Sequence, residues 1–214
     1  MSSLGCLNSR QIDGLLWLKP SKEGLQYLAP QLKGISVYRK PDEWVYSAFN
    51  FWCLPGYDKG CRMRYGWTTK EHKRSPQIFH EILTSPECEN LFSPRCILMK
   101  PRYVESYLWY ENILGRDNMI VLSTEELYHD GFQVMSEVFT RLGLEPFGNS
   151  STYMEAINVN AKKGAESLAP YAEGLGKTVQ PMLPESRRIL REKIQFHHLK
   201  LKLSNVTGHY FHWL

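Results

Sequence analysis

The amino-acid sequence predicts an α/β fold in which a parallel sheet is flanked by helices. Two short apolar segments rich in β-branched residues, GISVY at 34–38 and MIVLS at 119–123, have the length and the flanking residues of buried parallel strands. Each strand is followed by a pattern with helical spacing, and such alternation of strands and helices is typical of parallel sheets. A chain of 214 residues is long enough for one domain of this kind.

The first strand leads directly into a helix over residues 41–52 (PDEWVYSAFNFW). Its proline suits the first helical turn, and two acidic residues follow at the positive end of the helix. This layout places Arg39 at the carboxyl end of a strand and beside a helix N-terminus. Ligands of open α/β sheets bind at that edge, and a guanidinium next to a helix N-terminus suits a phosphate. Ser47, two turns into the helix, adds a hydroxyl group.

The second strand lies between two predicted helices. Tyrosines at 103, 107 and 110 and Leu114 share one helical face that ends at Gly115, and residues 130–142 form an amphipathic helix closed by a glycine. Glu125 and Glu126 follow the strand. We interpret them as structural acids that pair with a neighbouring helix or cap its start, and catalysis is the alternative.

The other segments are assigned from turn residues and helical spacing. Residues 1–20 form an irregular N-terminal segment, and residues 21–214 form a single domain. Within it we predict helices over 21–32, 75–83 and 184–204 and an irregular loop over 54–74, which is either a solvated connection or a lid that contacts an acceptor. Four histidines near the end are interpreted as solvated or packed residues, without a role in metal binding: His197, His198, His209 and His212.

The composition of the chain narrows the class of ligand and the cellular compartment. The net charge of +4 favours an anionic cofactor or substrate without requiring nucleic acid, and no apolar run has the length of a membrane span. The five cysteines include two closely spaced pairs, Cys53 with Cys61 and Cys88 with Cys96, which we predict to lie close enough to bridge. Two glycosylation sequons begin at Asn149 and Asn205. Together these features favour a secretory compartment.

Residues 39–47 (RKPDEWVYS), placed after the first strand, resemble the 3′-phosphate motif R-x-P-x-x-R-x-x-S of the sulfotransferase superfamily. The arginine, the proline and the serine are present, whereas Trp44 stands where the family often has a second arginine. Residues 103–127 and 132–147 are similar to the helix, the strand and the helix ending in LGL of the same superfamily. The end of the chain resembles the heparan-sulfate type, with Lys163 and Lys177 in its two lysine-glycine loops and Trp213 near the terminus, although the second loop lacks the family's K-G-R.

The resemblance implies a P-loop-NTPase-like parallel sheet flanked by helices. It also implies transfer of a sulfuryl group from 3′-phosphoadenosine 5′-phosphosulfate (PAPS) to a hydroxyl or amino group of a carbohydrate, with no metal, in the Golgi lumen or secretory pathway. Arg39 and Ser47 would bind the 3′-phosphate, and Lys163 and Lys177 would be closing cations. The catalytic residues stay unassigned, because the family's lysine and base belong to segments upstream of the Arg39 motif.

Nothing between Met1 and Arg39 resembles the family's phosphosulfate-binding loop. We therefore expect the fold to lack its first βα unit and these 214 residues to have little or no transfer activity. Three hypotheses stay open. The chain is a fragment of an active enzyme, a non-catalytic nucleotide- or glycan-binding remnant of a sulfotransferase, or another parallel α/β protein such as a nucleotide kinase relative.

Overall fold

A computed structural model describes residues 32–52, 75–146, 148–151 and 180–213. Within these ranges the chain is mixed α/β, as predicted, with two strands and six complete helices. The strands are β1 (Gly34–Tyr38) and β2 (Met119–Ser123). The helices are α1 (Pro41–Trp52), α2 (Pro76–Thr84), α3 (Tyr103–Leu114), α4 (Thr124–Arg141), α5 (Pro184–Lys193) and α6 (Phe196–Thr207), and two 3₁₀ turns lie at Pro86–Cys88 and Arg116–Asn118.

Several of the predicted features lie outside the described residues. These are the irregular segment over 1–20, the helix over 21–32, the loop over 54–74, the Cys53–Cys61 pair and the two lysines Lys163 and Lys177. In the part of the chain that the structure describes, no helix is both long enough and apolar enough to cross a membrane.

β1 and β2 pair in parallel, with Gly34 opposite Met119 and Tyr38 opposite Ser123. Both strands have the bounds predicted from the sequence. Gly34 permits close packing at the start of β1, since a Cβ atom there would lie 2.8 Å from the Leu114 side chain and 2.9 Å from the Met119 sulfur, and these side chains would have to shift. The parallel register brings the carboxyl ends of both strands to one edge of the sheet.

β2 is buried along its whole length, and helices cover both of its faces. Ile120 and Leu122 pack against α4, whereas Met119 and Val121 face the main hydrophobic core. That core combines side chains from α1, α2, α3, α5, α6 and the C-terminal tail. Its largest fully buried members are Trp213, Tyr107, Phe49, Phe79, Phe196 and Phe211.

β1 is only half buried, which corrects the prediction of a buried strand. Ile35 and Val37 are 47% and 51% exposed. They share a face of the sheet with Ile120 and Leu122, because paired residues of adjacent strands point to the same side. Helix α4 packs on the two β2 residues, and the cluster that it forms does not include the two residues of β1. The apolar pattern of residues 34–38 therefore predicts the strand correctly, but it does not predict how far other elements cover it.

The structure confirms the predicted ends of α2 and α3. Ser75 is the N-cap of α2 and accepts a hydrogen bond from the Ile78 amide, with Pro76 in the first turn. Gly115 ends α3 with a positive φ of 82°. Helix α4 begins at Thr124, earlier than the predicted residue 130, because Ser123 and Glu126 form a capping box directly after β2. The predicted start coincides with Asp130, where the helical conformation is interrupted.

Residues 184–207 form two helices, in contrast to the single helix predicted over 184–204. Gln195 adopts a left-handed conformation (φ 52°, ψ 55°) between α5 and α6. A straight helix over this segment would extend about 30 Å, roughly the diameter of a small domain, so one half would leave the core. The break instead lets both halves bury apolar residues, whereas Leu201 is 61% exposed. The buried residues around the break are Leu190, Ile194, Phe196 and Leu203.

The predicted pairing of Cys88 with Cys96 is confirmed. The two residues have the geometry of a disulfide, with 4.4 Å between their Cα atoms, and both side chains are buried. The ammonium group of Lys193, the last residue of α5, donates to the Cys88 carbonyl, and Lys100 donates to the Cys96 carbonyl at 2.8 Å. The disulfide segment is therefore anchored to the end of α5.

We expect the disulfide to stabilise the fold modestly, because it closes a short loop of the unfolded chain. The entropy of closing a loop with a sequence separation of 8 residues corresponds to roughly 2–3 kcal/mol. Urea unfolding of oxidised protein, of reduced protein and of a Cys88→Ala/Cys96→Ala variant measures this difference. Equal unfolding midpoints for oxidised and reduced protein would contradict the prediction.

Candidate functional site

The carboxyl edge of the sheet fixes the backbone around Arg39. This residue directly follows β1, and α1 begins two residues later at Pro41. The Tyr103 hydroxyl donates to the Arg39 carbonyl at 3.0 Å, and the Thr124 hydroxyl donates to the Tyr38 carbonyl at 3.0 Å. The structure thus places Arg39 where the sequence predicted, at the end of a parallel strand and beside a helix N-terminus.

Among the described residues, the side chain of Arg39 forms an ion pair near the surface. Its Nη2 atom lies 3.3 Å from Glu43 Oε2, and the two side chains are 37% and 30% exposed. Ser47 follows Glu43 by four residues in α1, so the side chains of Glu43 and Ser47 lie on one face of the helix. Glu43 therefore neighbours both members of the predicted pair, through its ion pair with Arg39 and through its helical spacing to Ser47.

Two arginines from α5 complete a cluster of charges at the start of α1. Arg191 Nε donates to Asp42 Oδ2 at 2.9 Å, and Arg187 Nη1 lies 3.6 Å from both Asp42 Oδ2 and Glu43 Oε1. Three guanidiniums therefore face two carboxylates, which leaves the cluster with a net positive charge. These ion pairs join α1 and α5, which also share the main hydrophobic core.

Asp42 and Glu43 differ in burial although they are adjacent in sequence. Asp42 is fully buried, and its Oδ1 atom has no hydrogen-bond partner. Its charge is stabilised by the two α5 arginines, because a buried carboxylate without a counter-charge would be strongly unfavourable. The sequence analysis missed this network. The available signal was the spacing of Arg187 and Arg191, which puts both on one face of α5.

Glu125 and Glu126 have structural roles, as the sequence interpretation favoured. Glu125 accepts hydrogen bonds from the Lys40 amide at 3.2 Å and from the Trp213 indole at 2.8 Å. Glu126 closes the capping box of α4 and lies 3.0 Å from His209 Nε2. Both carboxylates are thus engaged by groups that hold the strand ends and the C-terminal tail.

The tyrosines at this edge are not candidates for a base at neutral pH. Burial raises the pKa of Tyr38 to about 12. Burial, with a contribution from the nearby Glu125 charge, also raises the pKa of Tyr103 well above its usual value of 10.0. Both hydroxyls therefore stay protonated, and the Tyr103 hydroxyl serves as a hydrogen-bond donor.

Of the four histidines near the C-terminus, His197, His198 and His212 are exposed, and His209 pairs with Glu126. A further contact that the sequence did not predict joins His80 Nδ1 of α2 to the buried Ser186 hydroxyl of α5 at 2.9 Å. Among the described residues, no group of three or more His, Cys, Asp or Glu side chains could hold a metal ion.

No protein-family profile, curated protein or solved structure matches this chain.

We expect Glu125→Ala to lower the free energy of unfolding by about 2–4 kcal/mol, because it leaves the Lys40 amide and the buried Trp213 indole without an acceptor. Glu137→Ala is a matched control on the same helix, since Glu137 is exposed and, among the described residues, accepts a hydrogen bond from Gln133, and it should change stability by no more than about 0.5 kcal/mol. Urea unfolding measures both. Unchanged stability of the Glu125 variant would contradict the structural role.

Proposed function

We propose that this chain is a PAPS-dependent sulfotransferase domain of the carbohydrate type. The observation that carries the proposal is the position of Arg39 at the carboxyl end of β1 and beside the N-terminus of α1, where it pairs with Glu43, which shares a helix face with Ser47. A phosphate there would meet a guanidinium, a helix N-terminus and a hydroxyl group. The net positive charge of the arginine cluster supports the same ligand class.

The described residues fit a 3′-phosphate, although Glu43 competes with it for Arg39. An ion pair near the surface contributes only about 0–1 kcal/mol. A hydrogen bond between a guanidinium and a phosphate is charge-assisted at both ends and contributes about 1.5–3 kcal/mol. In this proposal Glu43 is therefore a weak competitor for Arg39. Lys163 and Lys177 stay proposed as closing cations.

Sulfuryl transfer has the physical demands of phosphoryl transfer. The donor and the acceptor must be held in line, and charge on the leaving oxygens must be neutralised. PAPS supplies the sulfuryl group. In this proposal Arg39 and Ser47 anchor the nucleotide at its 3′ end and so fix the direction of its 5′ end, whereas the acceptor is a hydroxyl or amino group of a carbohydrate.

A non-catalytic nucleotide- or glycan-binding protein is the second candidate. It is favoured by the use of the acids after β2, since Glu125 and Glu126 are both committed to structural hydrogen bonds. In the described ranges, neither of these carboxylates is left to activate an acceptor hydroxyl. Binding and transfer must therefore be measured separately.

We also propose a location in the Golgi lumen or elsewhere in the secretory pathway. The Cys88–Cys96 disulfide geometry suits an oxidising compartment. Both sequon asparagines, Asn149 and Asn205, are exposed, and the Ser151 hydroxyl donates to Asn149 Oδ1 at 2.6 Å. These features support entry into the secretory pathway and do not distinguish among its compartments.

We expect 3′-phosphoadenosine 5′-phosphate to bind more tightly than adenosine 5′-phosphate, because only the first nucleotide carries the group that Arg39 would bind. Arg39→Ala should lose at least about 1.5 kcal/mol of binding free energy for the first nucleotide, the low end for a charged hydrogen bond. Isothermal titration calorimetry measures these affinities. Equal affinity of the unmodified chain for the two nucleotides would remove the 3′-phosphate assignment.

We expect these 214 residues to transfer little or no sulfate by themselves. A phosphosulfate loop would stabilise charge at the 5′ end of the leaving nucleotide, and loss of even one preorganised donor lowers a rate by roughly 10²- to 10³-fold. The assay follows labelled sulfate from PAPS to heparan and chondroitin acceptors, with the chain alone and with a family-like N-terminal βα unit added. Turnover by the chain alone near that of the extended protein would contradict this expectation.

A further inference from the structure

One carboxylate at the start of α1 lies between two guanidiniums from different parts of the chain. Glu43 Oε2 is 3.3 Å from Arg39 Nη2, and Glu43 Oε1 is 3.6 Å from Arg187 Nη1. The two arginine side chains are 37% and 38% exposed, so both can be reached from solvent. Each oxygen of the anion therefore faces its own arginine.

We infer that Arg39 and Arg187 form a two-arginine site for a phosphate monoester and that the Glu43 carboxylate occupies this site when the ligand is absent. The inference deepens the proposed function, because it adds Arg187 to the residues that bind the 3′-phosphate. A phosphate dianion bridges the two guanidiniums through two of its oxygens, as the carboxylate does now, and it matches their combined charge.

The neighbouring residues hold Arg187 in position for this role. Arg191, one turn further along α5, donates to the fully buried Asp42, and this ion pair fixes α5 against the start of α1. Arg187 is thereby placed over Glu43. Its distance of 3.6 Å to Asp42 is longer than the 2.9 Å of the Arg191 contact, so Arg191 is the main partner of the buried charge and Arg187 is the more replaceable one.

The exchange requires only that Glu43 turns towards solvent. Glu43 is already 30% exposed, and its pairs with the two arginines are long and near the surface, where ion pairs are weak.

The test compares Arg187→Gln with Arg188→Gln, a matched control one residue away. Arg188 is exposed and pairs with Glu185 and Glu192 of its own helix. We expect Arg187→Gln to lower the affinity for 3′-phosphoadenosine 5′-phosphate about tenfold, as loss of a charged hydrogen bond does, and Arg188→Gln to change it less than about twofold, as expected for an exposed pair. Glu43→Gln should raise the affinity, since it removes the competing anion. Circular dichroism and thermal melting verify that each variant folds.

The outcomes separate this inference from the proposed function. If Arg39→Gln weakens nucleotide binding and Arg187→Gln behaves like the control, the inference is overturned and the proposed function stands. If the unmodified chain binds 3′-phosphoadenosine 5′-phosphate no better than adenosine 5′-phosphate, the proposed function fails. In that case the two-arginine site is tested by titrating inorganic phosphate into Glu43→Gln and into Glu43→Gln/Arg187→Gln. Weaker phosphate binding by the double variant supports the two-arginine site, and equal or absent binding in both overturns it.

Discussion

The hydrogen bonds to Glu125 hold the carboxyl edge of the sheet together. This carboxylate lies just after β2, yet it accepts from the amide of Lys40 beyond β1 and from the indole of Trp213 in the C-terminal tail. A pair of short strands is only marginally stable by itself, so its ends must be fixed by other elements. One side chain joins both strand ends to the tail, and the geometry around Arg39 follows from that connection.

Aromatic packing supports the same edge from the side of the tail. The ring of Tyr38 lies 5.2 Å from that of Tyr103 and 5.9 Å from that of Phe211, and Phe211 is 4.4 Å from Trp213. The hydroxyl of Tyr103 also donates to the Arg39 carbonyl. The backbone of Arg39 is thus fixed by buried contacts, whereas its guanidinium is held by a weak pair near the surface. A ligand can therefore recruit the side chain without disturbing the strand.

The sequence predicted those parts of the structure that depend on local patterns. GISVY and MIVLS had the right bounds, and Ser75 and Gly115 marked helix ends correctly, because caps and apolar runs act over a few residues. The exposure of Ile35 and the break at Gln195 were missed, since both depend on what the rest of the chain packs against. The contact between Asp42 and Arg191 spans 149 residues of sequence. No local pattern specifies a partner at that distance.

The candidate site shows the same division between local and long-range information. Arg39 and Ser47 could be found because a strand, a proline and a helix place them, whereas the pairing of the nearby acids with α5 depends on long-range packing. Acidic residues in the first turn were interpreted only as stabilising the helix. In the structure the two acids differ in burial, since Asp42 is fully buried against α5 and Glu43 lies near the surface between two arginines. Burial makes the first acid a fixed part of the fold. In the proposed two-arginine site, exposure would make the second acid replaceable, because it pairs with the arginines near the surface and leaves them accessible to a phosphate.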